Sequence, residues 1–223
     1  MKKNLRAYFG VLHLGVGAAL LAPFAFTSVS RADVDIVNSL GDTRVADAPA
    51  SGNPFKVEDF STTVSGQISG VILDLNFNGV AVTAGSPLDV YVYGANGSGP
   101  TGSGFLLGTI TPTTTGDHQY TVSGLQAYSL TAGQDYAIGI DETLGTGTVG
   151  WEYAAFNSPN SGIGGSFLGA LNSTAGSAPW VNSNPLQQRF MDVTVVPEPM
   201  TGAFLGFGVL ALVATHRLRR KTF

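Results

Sequence analysis

Apolar and polar residues alternate along much of the chain in short runs, separated by clusters of Gly, Ser, Thr, Asn and Pro. A period of two marks half-buried strands, with the clusters as turns. The clearest run is 67–77. Ile68, then Val71, Leu73, Leu75 and Phe77 share one face, Asp74 and Asn76 the other, and Asn78-Gly79 follows as a tight turn. Residues 88–93 alternate again and gather Leu88, Val90 and Val92. Further strands are expected at 33–37, at 56–63 with Val57 inward, and at 105–110, 119–122, 128–130, 136–140, 148–156 and 187–195. Stretches 46–54, 94–104, 111–117, 157–165 and 172–185 read as loops or turns. This makes roughly nine or ten strands, with no amphipathic helix among them. Spacing this short suits antiparallel hairpins, because parallel strands need long crossovers. The expected fold is all-β, an antiparallel β-sandwich of jelly-roll or Greek-key type.

The two ends break this pattern. Lys2, Lys3 and Arg6 precede an apolar stretch over 11–26, and Ser30 and Ala32 stand at the spacing a signal peptidase reads. Residues 1–32 are therefore expected to be a secretory signal peptide cleaved after Ala32. At the other end Val196-Pro197-Glu198-Pro199 leads into an uncharged apolar segment, and Arg217, Arg219, Arg220 and Lys221 follow. Pro197 and Pro199 fix φ and disfavour helix before them, so Glu198 should be displayed on extended, accessible chain. Residues 201–215 would span about 22 Å as a helix, short of the roughly 30 Å hydrocarbon core. Such a transmembrane helix holds by snorkelling of the basic residues, or only for a time. The basic cluster places the C-terminus on the cytoplasmic side and the domain outside. The expected organisation is signal peptide 1–32, β-rich domain 33–195, and tail 196–223.

Trimming both ends changes the charge. Residues 33–196 hold fourteen acidic side chains and three basic ones, Arg44, Lys56 and Arg189, a difference of −11, against −4 for the whole chain. A domain this acidic is a poor ligand for nucleic acid, which needs clustered Lys and Arg. The chain has no cysteine, which removes thiol nucleophiles and thiolate metal sites.

In motif, apolar segment and basic stop, the last 28 residues resemble the Pro-Glu-Pro C-terminal sorting signal (PEP-CTERM) of Gram-negative bacteria that export polysaccharide. The resemblance implies a membrane protease-transpeptidase, exosortase, as processing partner, with Val196, Pro197, Glu198 and Pro199 as its recognition element. It also implies export across the inner membrane, transient retention there, and delivery to the cell surface or extracellular matrix, beside exopolysaccharide or in biofilm. A second resemblance covers most of the domain. The run 34–40, the motif Pro87-Leu88-Asp89-Val90-Tyr91-Val92-Tyr93 with its Gly/Asn loop to Leu106-Leu107-Gly108, and the stretch 130–138 look like choice-of-anchor bacterial surface domains. Ala137 stands where that pattern would place another aromatic residue. This family implies a surface location and no assigned activity.

Candidate chemistry inside the domain is sparse. Residues 145–150 spell G-x-G-x-x-G, but Trp151-Glu152-Tyr153 continues as a strand instead of a helix N-terminus, so a glycine-rich hairpin is the expected reading. His118 is the one histidine of 33–196 and no G-x-S-x-G elbow accompanies it, so it reads as a solvated loop residue. Asp74, Asp89 and Glu152 are the carboxylates weighed for a glycosidase pair. Asp33 with Asp35, or Asp135 with Asp141 and Glu142, are candidate ligands for a structural calcium ion, although no EF-hand loop is present. Tyr91, Tyr93, Trp151, Tyr153 and Trp180 could stack on sugars, with Trp151 and Trp180 the leading candidate glycan contacts. Aromatics at alternate strand positions also serve as sheet filling. Asn96-Gly97-Ser98 and Asn172-Ser173-Thr174 are glycosylation-type sequons. The expectation is a surface structural protein without catalytic residues or cofactor. A carbohydrate-binding module is the alternative, and a glycoside-active enzyme the third reading.

Overall fold

The computed structural model describes residues 32–42, 44–48, 55–77, 87–96, 98–112, 114–141, 149–155, 164–174, 179–182 and 187–198. Residues 1–31, nearly all of the expected signal peptide 1–32, lie outside them, as do residues 199–223, with Pro199, the apolar segment and the basic residues after it. Among the described residues every regular element is a strand, and no helix is long and apolar enough to cross a membrane.

The strands are β1 (Val34–Asn38), β2 (Arg44–Ala48), β3 (Phe55–Thr62), β4 (Gly66–Phe77), β5 (Leu88–Asn96), β6 (Gly99–Ile110), β7 (Gly116–Thr121), β8 (Ser129–Leu130), β9 (Asp135–Asp141), β10 (Gly150–Ala155), β11 (Gly165–Ser173), β12 (Val181–Asn182), β13 (Gln187–Arg189) and β14 (Met191–Pro197). All pairings are antiparallel. One sheet has the order β1-β14-β4-β10-β13, with β2 on β10 and with β7 and β8 on β4. The other has the order β12-β11-β3-β9-β5-β6.

Both sheets feed one core. β4 contributes Ile68, Val71, Leu73 and Leu75, β14 Met191, Val193 and Val195, β5 Leu88, Val90 and Val92, and β9 Ile138 and Ile140. Each such side chain, fully buried, contributes about 1.5–3 kcal/mol. Ile68 and Val71 are three apart yet face the same way. Thr194 pairs with Gly70 and Val195 with Ile68, so Ser69 is the extra residue of a bulge that flips the alternation.

The sheets are joined at both margins. Gly164 donates to Asp35 O at 3.1 Å and accepts from Thr63 N, which links β1 to the start of β11. A Cβ on Gly165 would lie 2.1 Å from Ser61 O and 2.8 Å from Ile36, so only glycine fits this seam. At the opposite margin Thr109 and Ser123 exchange backbone hydrogen bonds of 3.0 and 2.8 Å, while Val122 N donates to Val71 O.

Several expectations need correction. There are more strands than the nine or ten expected. The stretch 46–54 begins inside β2, which pairs with β10, and 172–185 contains β12. Residues 94–96 pair with 99–101 at the end of the β5–β6 hairpin, within the stretch 94–104 expected to be a long loop. β11, unassigned from the pattern, pairs with β3 along its length. Val57 is buried but faces away from the shared core, which receives Phe60 from the same strand.

Candidate functional site

Two features concentrate chemistry, the exit of the last strand and the outer face of the six-stranded sheet. At the exit, β14 keeps pairing with β4 through Val196↔Gln67 and Pro197↔Gly66, and Glu198 N then donates to Ser65 O at 3.2 Å. The strand thus runs two residues past the expected boundary at 195. Since Glu198 N–H points toward β4, the nitrogen of Pro197 faces the β1 side, where pairing has already stopped at Val195. Proline's missing donor is therefore harmless there. Gly66 allows the close approach, as a Cβ there would meet Val196 O at 2.5 Å. Val196 is 43% exposed and Glu198 is exposed. Ala32 is exposed just ahead of β1; Ser30, Pro199, Arg217, Arg219, Arg220 and Lys221 fall outside the described residues.

On the six-stranded sheet, core-facing residues alternate with an outer set. Across β5 and β9 the outer pairs are Asp89↔Asp141, Tyr91↔Gly139, Tyr93↔Ala137 and Ala95↔Asp135. The rows continue onto β3 at Phe55, Val57, Asp59 and Ser61. The central column on β9 is small in its middle, and the Tyr93 ring fills that space. A Cβ on Gly139 would lie 2.9 Å from Tyr93 Cε2, and one on Gly104 2.5 Å from Tyr93 Cε1. Trp180 meets Tyr93 edge-on at 6.0 Å between centroids, and Tyr91 lies 6.2 Å from Tyr93. Val57, Ala137 and Leu171 complete this second apolar cluster. Tyr91 and Trp180 are half-buried, Tyr93 is buried beneath them.

Polar groups end the rows. The Tyr91 hydroxyl donates to Asp89 Oδ2 at 3.3 Å. Burial, then Tyr91 and Asp141, push the Tyr93 phenol up to about 12, and burial with Asp89 raises Tyr91, so both stay protonated donors at neutral pH. Asp59 is 3% exposed, and burial followed by repulsion from Asp135 pushes it up to about 7.

Trp151 does not belong to this face. It is fully buried in the shared core, its Nε1 donates to Phe190 O at 2.9 Å, and the Arg189 guanidinium sits 5.3 Å above its ring. Contrary to the expectation, it offers no surface to a glycan, whereas Trp180 is half-buried. Arg189 donates to the carbonyls of Val57 and Leu171 and to Asn172 Oδ1, which ties β13 to the opposite sheet. Its backbone N–H reaches Glu58 Oε2 at 3.1 Å. Burial pushes the Glu58 carboxyl up to about 8 against the pull of Arg189. Lys56 makes a second tie, from Nζ to Val149 O at 3.0 Å.

The remaining candidates are dispersed. His118 is exposed on β7 with Nε2 3.2 Å from Thr115 O. Glu152 is fully buried and Asp74 nearly so, on different strands from half-buried Asp89. Asp135 and Asp141 share a face but stand at opposite ends of β9, about 20 Å apart along the strand, so they do not form one calcium ligand set. Asp33 accepts from Ser69 Oγ at 3.2 Å. Among the described residues no three His, Asp or Glu side chains converge on a metal-sized space. Of G-x-G-x-x-G, the described Gly150 opens β10; Glu142 lies outside the described residues.

The outer acidic-aromatic set was legible as Asp89-x-Tyr91-x-Tyr93, alternate to the core series Leu88, Val90, Val92. The opposition of Asp141 to Asp89, and the arrival of Trp180 from a distant segment, needed the register. No protein-family model matches the chain, and no curated protein matches it.

Proposed function

We propose that the chain is an exported cell-surface or matrix structural protein, whose β-rich domain is held briefly at the inner membrane and released by an exosortase-like enzyme. The observation that carries this reading is the order at the C-terminus. The closing strand delivers Glu198 to the surface, and Pro199, an uncharged segment and four basic residues follow at once. Recognition falls on Val196 to Pro199, with Arg217, Arg219, Arg220 and Lys221 as the stop. Signal peptidase is the second processing partner, at Ser30 and Ala32. Two antiparallel sheets about one core support the finer reading of a jelly-roll-like β-sandwich. Sealing of Glu58 and Glu152 in that core puts them beyond a substrate's reach and favours a non-enzymatic role.

Mass spectrometry of both termini of the exported protein tests this. The wild type should begin at Asp33 and lack Lys221, and Glu198→Ala should retain the tail in the membrane fraction. Intact Lys221 on the extracellular wild-type form would sink the processing step.

A further inference from the structure

We propose that Asp59, Ser61 and Asp135, on the outer side of the six-stranded sheet, form a binding site for one divalent cation of the calcium class. The proposal concerns the folded domain and does not depend on processing of the tail.

Register brings the three residues together. Ser61 on β3 stands opposite Asp135 on β9, and Asp59, two residues back along β3, stands opposite Ala137. All share the outer parity, so Asp59 and Asp135 are diagonal neighbours. Directly opposed residues lie about 5 Å apart and diagonal ones about 7–8 Å, a separation from which two Asp side chains reach one ion. The flanking outer positions, Ala137 and Ala95, are small.

Burial makes this more than a pair of nearby carboxylates. Asp59 is 3% exposed although it lies on the outer side of the sheet, and its Oδ1 has no hydrogen-bond partner among the described residues. Cover comes from the β5–β6 hairpin. A Cβ on Gly99 would lie 3.3 Å from both Leu171 and Trp180, so the hairpin end reaches over to β11. An ionised carboxylate in such a place needs a counter-ion, or it takes up a proton. After burial itself, repulsion from Asp135 is the largest influence on Asp59, ahead of the pull of Arg189. The Arg189 guanidinium serves Val57, Leu171 and Asn172. A divalent cation would neutralise the Asp59–Asp135 pair and give Oδ1 a partner.

The donors narrow the ion. Two carboxylates and a hydroxyl are hard oxygen ligands, which suit calcium or magnesium better than zinc. Ser61 Oγ donates to Ser166 O at 3.4 Å, which leaves its oxygen lone pairs for a cation. Magnesium demands a near-ideal octahedron and gives up water reluctantly, whereas calcium accepts irregular oxygen sets at about 2.3–2.6 Å. With two charged ligands the affinity falls in the weak range of extracellular modules, about 0.1–1 mM. Asp89 and Asp141, opposed at the other end of the face, lack the decisive feature. Both are half-buried, and Asp89 already accepts from the Tyr91 hydroxyl.

Thermal melts and titration calorimetry of the purified full-length protein, stripped of metal with EDTA, test the proposal with calcium chloride as the probe. Calcium at about 5 mM should raise Tm by about 2–9 °C, the shift a site of this affinity gives when only the folded state binds. Sodium chloride at the same ionic strength should leave Tm unchanged. Terbium, a luminescent stand-in for calcium, should emit on excitation of Tyr93, which shares a row with Asp59 across Ala137, and calcium should displace it. Asp59→Asn and Asp135→Asn should each weaken calcium binding about tenfold or more. Asp89→Asn, the same change at the other end of the face, should leave it unaltered. Near-ultraviolet circular dichroism checks that each variant is folded. Asp135 is half-buried, so its variant decides the matter even where Asp59→Asn fails to fold. A Tm indifferent to calcium, an equal response to sodium chloride, or calcium binding that survives Asp135→Asn or is lost with Asp89→Asn would overturn the proposal. Calcium binding is read on the domain and processing at its termini, so each fails separately.

Discussion

Arg189 shows how a polar residue can sit in the centre of this core without opening it. The residue is 2% exposed, and its guanidinium lies over Trp151 and donates to carbonyls of Val57 and Leu171 in the opposite sheet. Those carbonyls belong to paired strands, so the arginine adds side-chain hydrogen bonds between the sheets to the backbone bonds at their margins and the Lys56 tie. Removing a buried charged partner leaves desolvated groups behind, at about 3–5 kcal/mol. Arg189→Ala should lower the unfolding free energy by that measure, read as a lower urea midpoint at unchanged m-value. Arg189→Met, which restores the apolar stem but not the donors, should recover part of it. An unchanged midpoint for Arg189→Ala would show that the tie is ornamental.

Strands differ in how much of themselves they reveal. β4, β5 and β9 were legible because one face is apolar along the run, and the Ile68-to-Val71 phase change even marked the β4 bulge. β11 was not, since glycines interrupt it and its bulge between Phe167 and Gly169 breaks the period. β2 and β12 are short and exist through their partners, which no local pattern displays. β3 yielded its parity but not its direction, because both its faces are buried and Val57 is as sheltered as Phe60. The same limit applied to Trp151, whereas Trp180 falls in a stretch that reads as a loop, outside any alternation. Alternation cannot tell a ring filling the core from one lying on the outer face. Where elements meet, space decides the sequence. Gly165→Ala places a methyl group against the Ser61 carbonyl at the β1–β11 seam, and a backbone cannot yield as a side chain does. The expected cost is about 1–3 kcal/mol, read as a Tm several degrees lower. Gly41→Ala, with nothing within 4 Å of its Cβ, is the control and should leave Tm unchanged.

At the scale of the molecule, an acidic domain has buried several of its carboxyls, and pH should govern its stability accordingly. Burial pushes Glu58 up to about 8 and Asp59 up to about 7. It pushes Asp192 up to about 6, with help from Asp35. The ordinary values are 4.5 for glutamate and 3.8 for aspartate. Each folded-state value lies above the unfolded one, so the folded chain holds more protons across the interval between them. Stability from these groups is therefore fully present below about pH 4 and is lost as pH rises through about 6 to 8. General repulsion works in the same direction, since the formal −11 over 33–196 is reached only as these groups ionise. Thermal melts should give a higher Tm at pH 5 than at pH 8. Glu58→Gln and Asp59→Asn, which keep the shape and remove the ionisation, should flatten the slope. A Tm that rises from pH 5 to pH 8 would mean that these carboxyls are charged in the fold and paired with Arg189 and Lys56 more strongly than their burial opposes.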